Sequence, residues 1–429
     1  MNLVLARACS NSCPYCFEAT ERKEGKQNLI SMENILQVAQ WVRKSKLASL
    51  SLLGGEPFLH PELSTIVKIF RQANPETNLR VLSGGIFKKQ LLDGLSPQDV
   101  GLVFNINEPR DYNNPKHYAK VLNNVELAIR KGFNVVIGFN VWRPDFDTHF
   151  MPDLAKRLGR SKFCWTVANP IKGHASNVVG QDQYEPLADK CFEMLQYASS
   201  LGLETMSDCP LPFCFFNESQ LGWVTQYHPR TASNLGICNP IMDITPELEV
   251  IRCFALSGMQ RVKLTDFRNE WELREWFVKS IDDRLLQGGC YPKCRDCVHF
   301  KKGRCYGGCL AWHEQVGDAE SKPMALQLIE DMSQALEDNK PEQALEHFNQ
   351  ASSWVKTDVS TLSAAIAASQ LSDWRMAFLF ATEADHMTAN REIKQQIAAI
   401  FAAMPSDAFK QEESPEPSPL PPYISSVDD

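Results

Sequence analysis

The chain reads Cys9-Ser10-Asn11-Ser12-Cys13-Pro14-Tyr15-Cys16-Phe17 directly after its first apolar run, which covers residues 2–6. Closely spaced cysteines indicate a metal centre, because thiolates are the ligands of iron-sulfur clusters and of many structural zinc sites. A [4Fe-4S] cluster held by only three thiolates keeps one iron free to bind a small molecule. Zinc is the alternative, since Cys13 and Cys16 are spaced as in a structural zinc site.

A second motif, Leu52-Leu53-Gly54-Gly55-Glu56-Pro57, follows one βα unit later. Taken alone it predicts only a strand-to-helix turn, in which glycine permits a positive φ and proline favours the first helical position. The two motifs together resemble those of radical S-adenosylmethionine enzymes. In that family a C-x-x-x-C-x-x-C run followed by an aromatic residue holds a [4Fe-4S] cluster, and the glycine-rich motif binds the methionine amino group.

This resemblance implies a [4Fe-4S] cluster that is held by Cys9, Cys13 and Cys16 and is coordinated with S-adenosyl-L-methionine. One electron would then cleave S-adenosylmethionine and release a 5′-deoxyadenosyl radical. The residues that the resemblance implies around the cofactor are Gly54, Gly55, Glu56, Pro57, Ser83, Asn105 with Asn107, Asn140 and Ile171. Ile171 lies in Asn169-Pro170-Ile171-Lys172-Gly173, which resembles the adenine-contacting segment of the family. The alternative is that asparagine and glycine end these strands because they form local turns.

Short apolar runs alternate with amphipathic stretches in the first half of the chain, which is typical of βα units on a parallel sheet. We predict strands at 2–6, 49–53, 79–82, 102–106, 134–139 and 163–167. We predict helices at 32–42, 63–71, 88–95, 118–130 and 151–158. The fold class is therefore α/β. The resemblance implies the partial (β/α)6 barrel of radical S-adenosylmethionine enzymes, with the active site at the carboxyl ends of the strands.

Seven further cysteines lie between 238 and 309. Four of them stand in Cys294-Arg295-Asp296-Cys297 and Cys305-Tyr306-Gly307-Gly308-Cys309, a spacing that indicates metal binding. Residues 243–250, between Cys238 and Cys253, are predicted to form a β-hairpin. The whole set resembles the SPASM domain, the auxiliary-cluster module of peptide-modifying radical enzymes. It departs from that pattern at Leu248, where glycine is usual, in a longer gap before Cys305, and in having no cysteine after Cys309.

The resemblance implies two auxiliary [4Fe-4S] clusters. The ligands of the first would be Cys238, Cys253 and Cys309 with Cys214 or Cys209. The ligands of the second would be Cys290, Cys294, Cys297 and Cys305. A zinc ribbon at 294–309 is the alternative. Cys164 and Cys191 are predicted to be buried small apolar residues.

Length and charge narrow the class of protein. A chain of 429 residues predicts two or three domains. The net charge is -8 and basic residues are interspersed, so we expect no nucleic-acid partner. No apolar run is long enough for a membrane span, and the first strand leads directly into the cysteine motif, so we expect a cytoplasmic protein. Fourteen cysteines in such a protein indicate metal or redox chemistry rather than disulfides.

Auxiliary clusters favour net oxidative chemistry, because a substrate radical must lose an electron before a closed-shell product forms. The predicted function is therefore the oxidative modification of a peptide or protein, for example crosslinking, with an electron donor such as flavodoxin or ferredoxin. Alternatives are a small-metabolite substrate, sulfatase maturation and a non-catalytic metal-binding scaffold. Sulfatase maturation is disfavoured, because Phe254 follows Cys253 where those relatives have an aspartate. Candidate acid-base groups are Glu56, Glu108, Asp208 and His313, and none is assigned as catalytic.

The last part of the chain is alanine-rich. Ala344, Leu345 and Ala351 recur 33 residues later as Ala377, Phe378 and Ala384, close to the tetratricopeptide period. The alternative is a plain helical cap. The run after residue 410 is rich in Glu, Ser and Pro and is predicted to be a disordered tail. The predicted domains are 1–200 (barrel), 201–322 (auxiliary clusters), 323–409 (helical, TPR-like) and 410–429 (tail).

Overall fold

The structure is a computed structural model. It describes residues 1–18, 28–172, 178–286, 290–313, 324–352, 357–388, 390–405 and 408. The chain divides into two compact units, the first Met1–Gln327 with Gln350–Val355 and the second Leu328–Asn349 with Lys356–Asp429. Within the described ranges, we find no helix whose length and apolar content would let it cross a bilayer.

A ten-stranded sheet forms the centre of the first unit. Its strands are β1 (Asn2–Ala6), β2 (Ser49–Gly54), β3 (Asn78–Ser83), β4 (Gly101–Asn105), β5 (Val135–Val141), β6 (Lys162–Val167), β7 (Glu204–Ser207), β8 (Asp243–Ile244), β9 (Glu249–Ile251) and β10 (Val262–Lys263). The order across the sheet is β10-β9-β8-β1-β2-β3-β4-β5-β6-β7. Neighbouring strands from β1 to β7 are parallel, so their carboxyl ends meet at one edge.

The α-helices of the first unit lie between these strands or follow the last of them. They are α1 (Met32–Ser45), α2 (Leu63–Ala73), α3 (Pro115–Arg130), α4 (Phe150–Arg157), α5 (Tyr184–Ser200), α6 (Glu218–Tyr227), α7 (Pro229–Ala232), α8 (Glu270–Phe277), α9 (Asp283–Leu286) and α10 (Val298–Lys301). The predicted fold class is confirmed, and each of the six predicted strands lies where it was expected. The stretch predicted as a helix at 88–95 is a 3₁₀ helix at Lys89–Gly94.

Strand β7 is absent from the prediction because it buries hydroxyl groups rather than apolar side chains. Thr205 and Ser207 are its buried residues. The Thr205 hydroxyl lies 3.0 Å from His228 Nδ1 and 2.9 Å from Thr231 Oγ1, so its burial is offset by hydrogen bonds. A four-residue strand of this kind carries no apolar periodicity that a sequence reading could use.

The predicted hairpin is confirmed, since β8 and β9 pair antiparallel. The sequence did not predict that β8 also pairs in parallel with β1, which makes the hairpin part of the central sheet. The two cysteines predicted to be apolar core residues differ. Cys191 is fully buried, whereas Cys164 on β6 is only partly buried.

The second unit is built from α11 (Met324–Glu337), α12 (Pro341–Ser352), α13 (Asp358–Gln370), α14 (Trp374–Met387) and α15 (Arg391–Ala403). Its buried positions repeat with a period of 33 residues. Met332, Ala335, Ala344 and Phe348 lie in one apolar cluster, and the residues 33 positions later, Ala365, Ala368, Ala377 and Ala381, lie in the next. The turns repeat as well, because Asn339 and Ser372 both adopt a left-handed φ, 57° and 60°. The recurrence predicted from the sequence therefore reflects two successive helical hairpins.

We expect Ala377→Leu to destabilise the second unit by about 1–3 kcal/mol, because the added side chain must enter a closely packed alanine interface. Ala377 is fully buried in that interface. Ala399→Leu is the control, since Ala399 is exposed on α15 and should change stability by less than about 0.5 kcal/mol. Urea unfolding of the two variants checks this, and equal midpoints would contradict the repeat packing.

Candidate metal and cofactor site

The two sequence motifs lie directly against each other at the carboxyl ends of β1 and β2. Gly55 N donates to Ala6 O at 2.6 Å, and Glu56 N donates to Ala8 O at 2.8 Å. A Cβ at Gly54, whose φ is 143°, would lie 2.1 Å from Ala6 O, and one at Gly55 would lie 2.3 Å from Arg7 O. Because only hydrogen fits at these positions, glycine is what lets the backbone leading to Cys9 lie on the second motif.

The cysteine loop is held by amide donors. Asn11 Nδ2 donates to Cys13 Sγ at 3.1 Å, and the Asn11 backbone N donates to Cys9 Sγ at 3.4 Å. Asn107 Nδ2 reaches Cys13 Sγ from the end of β4 at 3.6 Å. The chain turns between Cys13 and Cys16, since Cys16 N donates to Cys13 O at 3.1 Å. All three cysteines are partly exposed, which leaves their sulfurs accessible to a bound group.

The electrostatics of the loop fit an iron-sulfur cluster. Burial raises the pKa of Cys13 to about 11, the charge of Cys16 adds to this, and a hydrogen bond from Asn107 opposes it. Three neighbouring thiolates therefore need a positive counter-charge before they can all deprotonate. Iron ions supply that charge, and thiolates with amide donors on the sulfur are the usual surroundings of such clusters.

Glu56 joins the ends of β2 and β3. Its buried carboxylate accepts hydrogen bonds from Ser83 Oγ at 2.8 Å, from Gly84 N at 3.1 Å and from Phe58 N at 3.2 Å. Burial raises the pKa of Glu56 to about 7 although these hydrogen bonds lower it. The Ser83 hydroxyl, predicted to contact the cofactor, is thus engaged by Glu56. Pro57 is buried at the start of the short helix that follows.

The strand-end asparagines meet at a residue that the sequence reading did not select. Asn105 Nδ2 donates to the Tyr15 hydroxyl at 3.1 Å, and Asn140 makes a further hydrogen bond to it. The hydroxyl in turn donates to Asn107 Oδ1. Asn105 and Asn140 were predicted to contact the cofactor, and the structure brings both to Tyr15. The available signal was the position of Tyr15 between two of the cysteines.

The segment after β6 contacts the cysteine-rich loops. Trp312 Nε1 donates to Asn169 Oδ1 at 3.0 Å, and Lys172 N donates to Ala255 O at 2.8 Å. Lys172 Nζ also donates to His313 O. Ile171, predicted to contact adenine, is buried in this segment, while Gly173 lies outside the described residues. The segment after β6 therefore contacts residues that closely follow Cys253 and Cys309 in the sequence.

The remaining acid-base candidates have different surroundings. The Glu108 carboxylate accepts from Arg143 Nη2 at 2.7 Å and from Arg110 Nε at 2.8 Å, so it is held in an ion-pair network. Burial lowers the pKa of His313 to about 4, and its Nδ1 lies 2.8 Å from Leu285 O. Burial raises the pKa of Asp208, and the charge of Arg80 opposes this shift.

The hairpin is tied to the cysteine loop by a buried charge and an aromatic stack. Arg7 donates to both carboxylate oxygens of Glu247 at 2.7 and 3.1 Å, and its Nε lies 3.6 Å from Glu18 Oε2. The rings of Phe17 and Phe254 stack with centroids 4.1 Å apart. Phe254 thus packs against the loop of Cys9 to Cys16.

Leu248 explains one departure from the SPASM pattern. Its φ is 63°, a left-handed value that glycine adopts without strain and that costs other residues roughly 1–2 kcal/mol. The backbone of the hairpin at Leu248 therefore has a conformation for which glycine is suited.

A first group of thiols surrounds the end of β7. Burial raises the pKa of Cys209 well above its usual value, and the charges of Asp208, Cys309, Cys238 and Cys253 raise it further. A buried arginine, Arg252, lies at the same place, with Nη2 donating to Cys238 Sγ at 3.5 Å and to Asp282 Oδ2 at 2.8 Å. Cys209, Cys238, Cys253 and Cys309 therefore share one neighbourhood.

A second group lies beside it. The charges of Cys294 and Cys297 act on Cys214, whose pKa is raised first by burial, and Cys214 and Cys305 act on Cys290. A hydrogen bond from Cys290 lowers the pKa of Cys294 to about 6. A Cβ at Gly307 would lie 2.9 Å from Cys290 Sγ, so this thiol sits against the Cys305–Cys309 loop. Cys214 falls in this second group.

The loop from Cys209 to Cys214 joins the two groups. A Cβ at Gly308 would lie 2.9 Å from Pro210 O and 2.8 Å from Pro212 N, and Gly236 N donates to Leu211 O at 2.7 Å. Among the described residues, no three His, Cys, Asp or Glu side chains converge as the ligands of a single metal ion. A four-iron cube differs from a single ion, because its irons and sulfides stand between the thiolates.

Comparison with known proteins agrees with the site. Residues 3–154 match the family model of the radical SAM superfamily. The chain therefore contains a radical SAM domain at residues 3–154. The matching residues include Cys9, Cys13, Cys16 and the glycine-rich motif, so the resemblance predicted from these motifs is confirmed.

The curated relatives match this chain over part of their own length. Probable GTP 3′,8-cyclase of Saccharolobus solfataricus is 34% identical over 106 residues, 24% of this chain and 34% of that protein. GTP 3′,8-cyclase of Nautilia profundicola is 26% identical over 163 residues, 35% of this chain and 50% of that protein. Human molybdenum cofactor biosynthesis protein 1 is 27% identical over 143 residues, 32% of this chain and 22% of that protein. The chain thus spans half or less of the length of each.

Two solved structures share the fold. Native anSMEcpe with bound AdoMet has a TM-score of 0.55 at 14% identity and covers 82% of this chain and 96% of that one. Streptococcus suis SuiB bound to S-adenosylmethionine has a TM-score of 0.50 at 15% identity, and the match covers 72% of this chain and 73% of that one. At these identities the likeness concerns the fold of the chain.

The Glu56→Gln variant tests the buried carboxyl. With a folded pKa of about 7 against 4.5 in the unfolded chain, the folded state binds more protons between these values. Glu56 therefore lowers the stability as pH rises from 4.5 to about 7, in total by roughly 3 kcal/mol. We expect Glu56→Gln to lack this pH-dependent loss.

Urea unfolding at about pH 5 and about pH 8 measures the effect. Glu76→Gln removes an exposed carboxyl and should keep the wild-type pH profile. A Glu56→Gln profile parallel to wild type would contradict the raised pKa.

Gly55→Ala tests the contact between the two motifs. Its Cβ would meet the carbonyl oxygens of Arg7 and Ala8 at 2.3 and 2.5 Å, so the backbone before Cys9 must shift. We expect a loss of about 1–3 kcal/mol in stability and a lower iron content after anaerobic purification. Gly222→Ala on α6 has open space around its Cβ and should gain up to about 1 kcal/mol. Unchanged iron content in Gly55→Ala would argue against the contact.

Proposed function

We propose that this radical SAM enzyme cleaves S-adenosylmethionine reductively and oxidatively modifies a peptide or protein, for example by crosslinking side chains. The observation that carries the proposal is that two further groups of neighbouring cysteines exist beyond Cys9, Cys13 and Cys16. In a rearrangement, the hydrogen atom taken from the substrate is returned to it, so no electron acceptor is needed. An oxidation removes an electron from the substrate and therefore needs an acceptor. The two groups therefore favour oxidation.

The cysteine loop would hold a [4Fe-4S] cluster through Cys9, Cys13 and Cys16. When bound, this cluster with S-adenosylmethionine supplies a 5′-deoxyadenosyl radical, and auxiliary clusters would accept the electron that an oxidised substrate gives up. The chain's own contribution is position. Gly54 and Gly55 bring the second motif against the loop, and Glu56 fixes that motif to the end of β3. An electron donor such as flavodoxin or ferredoxin would supply the first electron.

We assign the auxiliary ligands according to which cysteines lie close to one another. Cys209, Cys238, Cys253 and Cys309 would hold one [4Fe-4S] cluster. Cys290, Cys294, Cys297 and Cys305 would hold the other. Cys214, the alternative fourth ligand of the first cluster, lies among the charges of the second group, which leaves Cys209 for the first. Arg252 would donate to Cys238 and partly balance the charge of the first cluster.

Two features favour a peptide or protein substrate. The second unit consists of successive helical hairpins with a 33-residue period, and TPR-like repeats of this kind present extended surfaces on which peptides bind. The fold resembles that of SuiB. Phe254 stacks on Phe17 in the place where sulfatase-maturing relatives have an aspartate, which supports a reaction other than sulfatase maturation.

A small-metabolite substrate is the second candidate. The specific observation in its favour is that curated relatives are named GTP 3′,8-cyclase. These relatives match only 24% and 35% of this chain, so the similarity does not extend over the whole protein. An assay of GTP as a substrate separates the two candidates.

The first experiment is anaerobic reconstitution with iron and sulfide, followed by incubation with S-adenosylmethionine and dithionite. We expect about twelve irons per chain, four per cluster, and formation of 5′-deoxyadenosine. The variant with Cys9, Cys13 and Cys16 all changed to Ala should keep about eight irons and form no 5′-deoxyadenosine. Zinc in place of iron, or no 5′-deoxyadenosine from the loaded wild type, would refute the proposal and favour a metal-binding scaffold.

Two matched variants test the auxiliary assignment. Cys209→Ala should lower the iron content by about four, because Cys214 lies in the other group. Cys214→Ala should keep about twelve irons, because the second cluster retains four cysteines. The reverse result would exchange the two assignments.

A further inference from the structure

Cys13 accepts hydrogen bonds from two side-chain amides. Asn11 Nδ2 approaches Cys13 Sγ at 3.1 Å from within the loop. Asn107 Nδ2 approaches the same sulfur at 3.6 Å from the end of β4. Both asparagines are buried, at 6% and 2% exposure, so water does not compete freely for these donors. Two amides therefore point at a single thiolate.

The orientation of the Asn107 amide is fixed by Tyr15. A carboxamide has one accepting end and one donating end, so a partner at the oxygen decides where the nitrogen points. The Tyr15 hydroxyl donates to Asn107 Oδ1, which turns Nδ2 toward Cys13. Asn105 Nδ2 donates to that hydroxyl at 3.1 Å and directs its proton toward Asn107.

The backbone of Asn107 is held separately. Asn107 N donates to the Tyr112 hydroxyl at 3.1 Å, and Tyr112 is itself buried. This second tyrosine steadies the same residue without touching its side-chain amide. The structure therefore offers a matched pair, because Tyr15 orients the amide and Tyr112 supports only the main chain.

We propose that Asn107 and Asn11 raise the midpoint potential of the cluster held by Cys9, Cys13 and Cys16, and that Tyr15 is the positioning residue that aims the Asn107 amide. This inference rests on the proposed cluster at those three cysteines. It assigns to Tyr15, Asn107 and Asn11 a role in setting how readily the enzyme accepts its electron, a role separate from ligation and from substrate binding.

The physical reason is the charge on the sulfur. Reduction adds an electron to the cluster, and part of the added negative charge falls on the thiolates. An N–H that points at a thiolate stabilises this charge, so hydrogen bonds to the sulfurs raise the reduction potential. Removing such a donor makes the cluster harder to reduce, while the three ligands and the iron content stay the same.

The variants are Tyr15→Phe, Asn107→Leu, their double mutant, Asn11→Ala and the control Tyr112→Phe. The probe is the reduced cluster's EPR signal during a potentiometric titration. The signal of this cluster is recognised because it changes when S-adenosylmethionine is added. Iron content and circular dichroism verify that each variant is loaded and folded.

We expect Tyr15→Phe, Asn107→Leu and Asn11→Ala each to shift the midpoint potential to more negative values. For Asn107→Leu we expect a reduced-to-oxidised ratio about tenfold lower at a fixed potential, equivalent to 59 mV for one electron. The double mutant should match Asn107→Leu alone, because Tyr15 acts through Asn107. Tyr112→Phe should leave the potential unchanged.

Fully loaded Tyr15→Phe and Asn107→Leu proteins with wild-type potentials would overturn the inference. Shifts of Tyr15→Phe and Asn107→Leu that add in the double mutant would overturn the positioning role of Tyr15. A wild type that binds no cluster at Cys9, Cys13 and Cys16 is a different result, since it refutes the proposed function itself.

Discussion

The site depends on a backbone contact in which two glycines lie on the carbonyl oxygens that precede the cysteine loop. Gly54 and Gly55 approach Ala6 and Arg7 so closely that a side chain at either position would overlap them. Parallel pairing of β1 and β2 brings the two segments to the same edge of the sheet. The contact turns two motifs that are distant in sequence into a single surface, on which the cysteine thiols and the buried Glu56 are placed.

Two buried arginines extend this surface toward the cysteine-rich region. Arg7 joins the β1 end to Glu247 of the hairpin, and Arg252 pairs with Asp282 beside Cys238. Buried ion pairs are costly to desolvate and therefore seldom add much net stability. Their value here is positional, because Arg7 fixes the hairpin to the end of β1 and Arg252 places a positive charge beside Cys238. The hairpin, the loop and the first thiol group are thereby held in one arrangement.

Much of the fold follows from local sequence, and much of the site does not. Alternating apolar runs predicted six strands and the hairpin, since strand burial leaves a pattern along the chain. Strand β7 was not predicted, because its buried residues Thr205 and Ser207 carry hydroxyl groups rather than apolar side chains. Tyr15 was not predicted as a site residue, because its partners Asn105, Asn107 and Asn140 come together only through parallel strand pairing. The choice between Cys209 and Cys214 also depends on tertiary neighbours, which residue spacing does not encode.

We propose that Cys9, Cys13 and Cys16 hold a cluster whose open iron binds S-adenosylmethionine. The most direct measurement is electron-nuclear double resonance of the reduced enzyme with S-adenosylmethionine labelled at the methionine nitrogen and carboxylate. We expect hyperfine coupling of both labels to one cluster, and loss of this coupling when Cys9, Cys13 and Cys16 are changed to Ala. A fully loaded and reduced enzyme that shows no coupling to either label would contradict it.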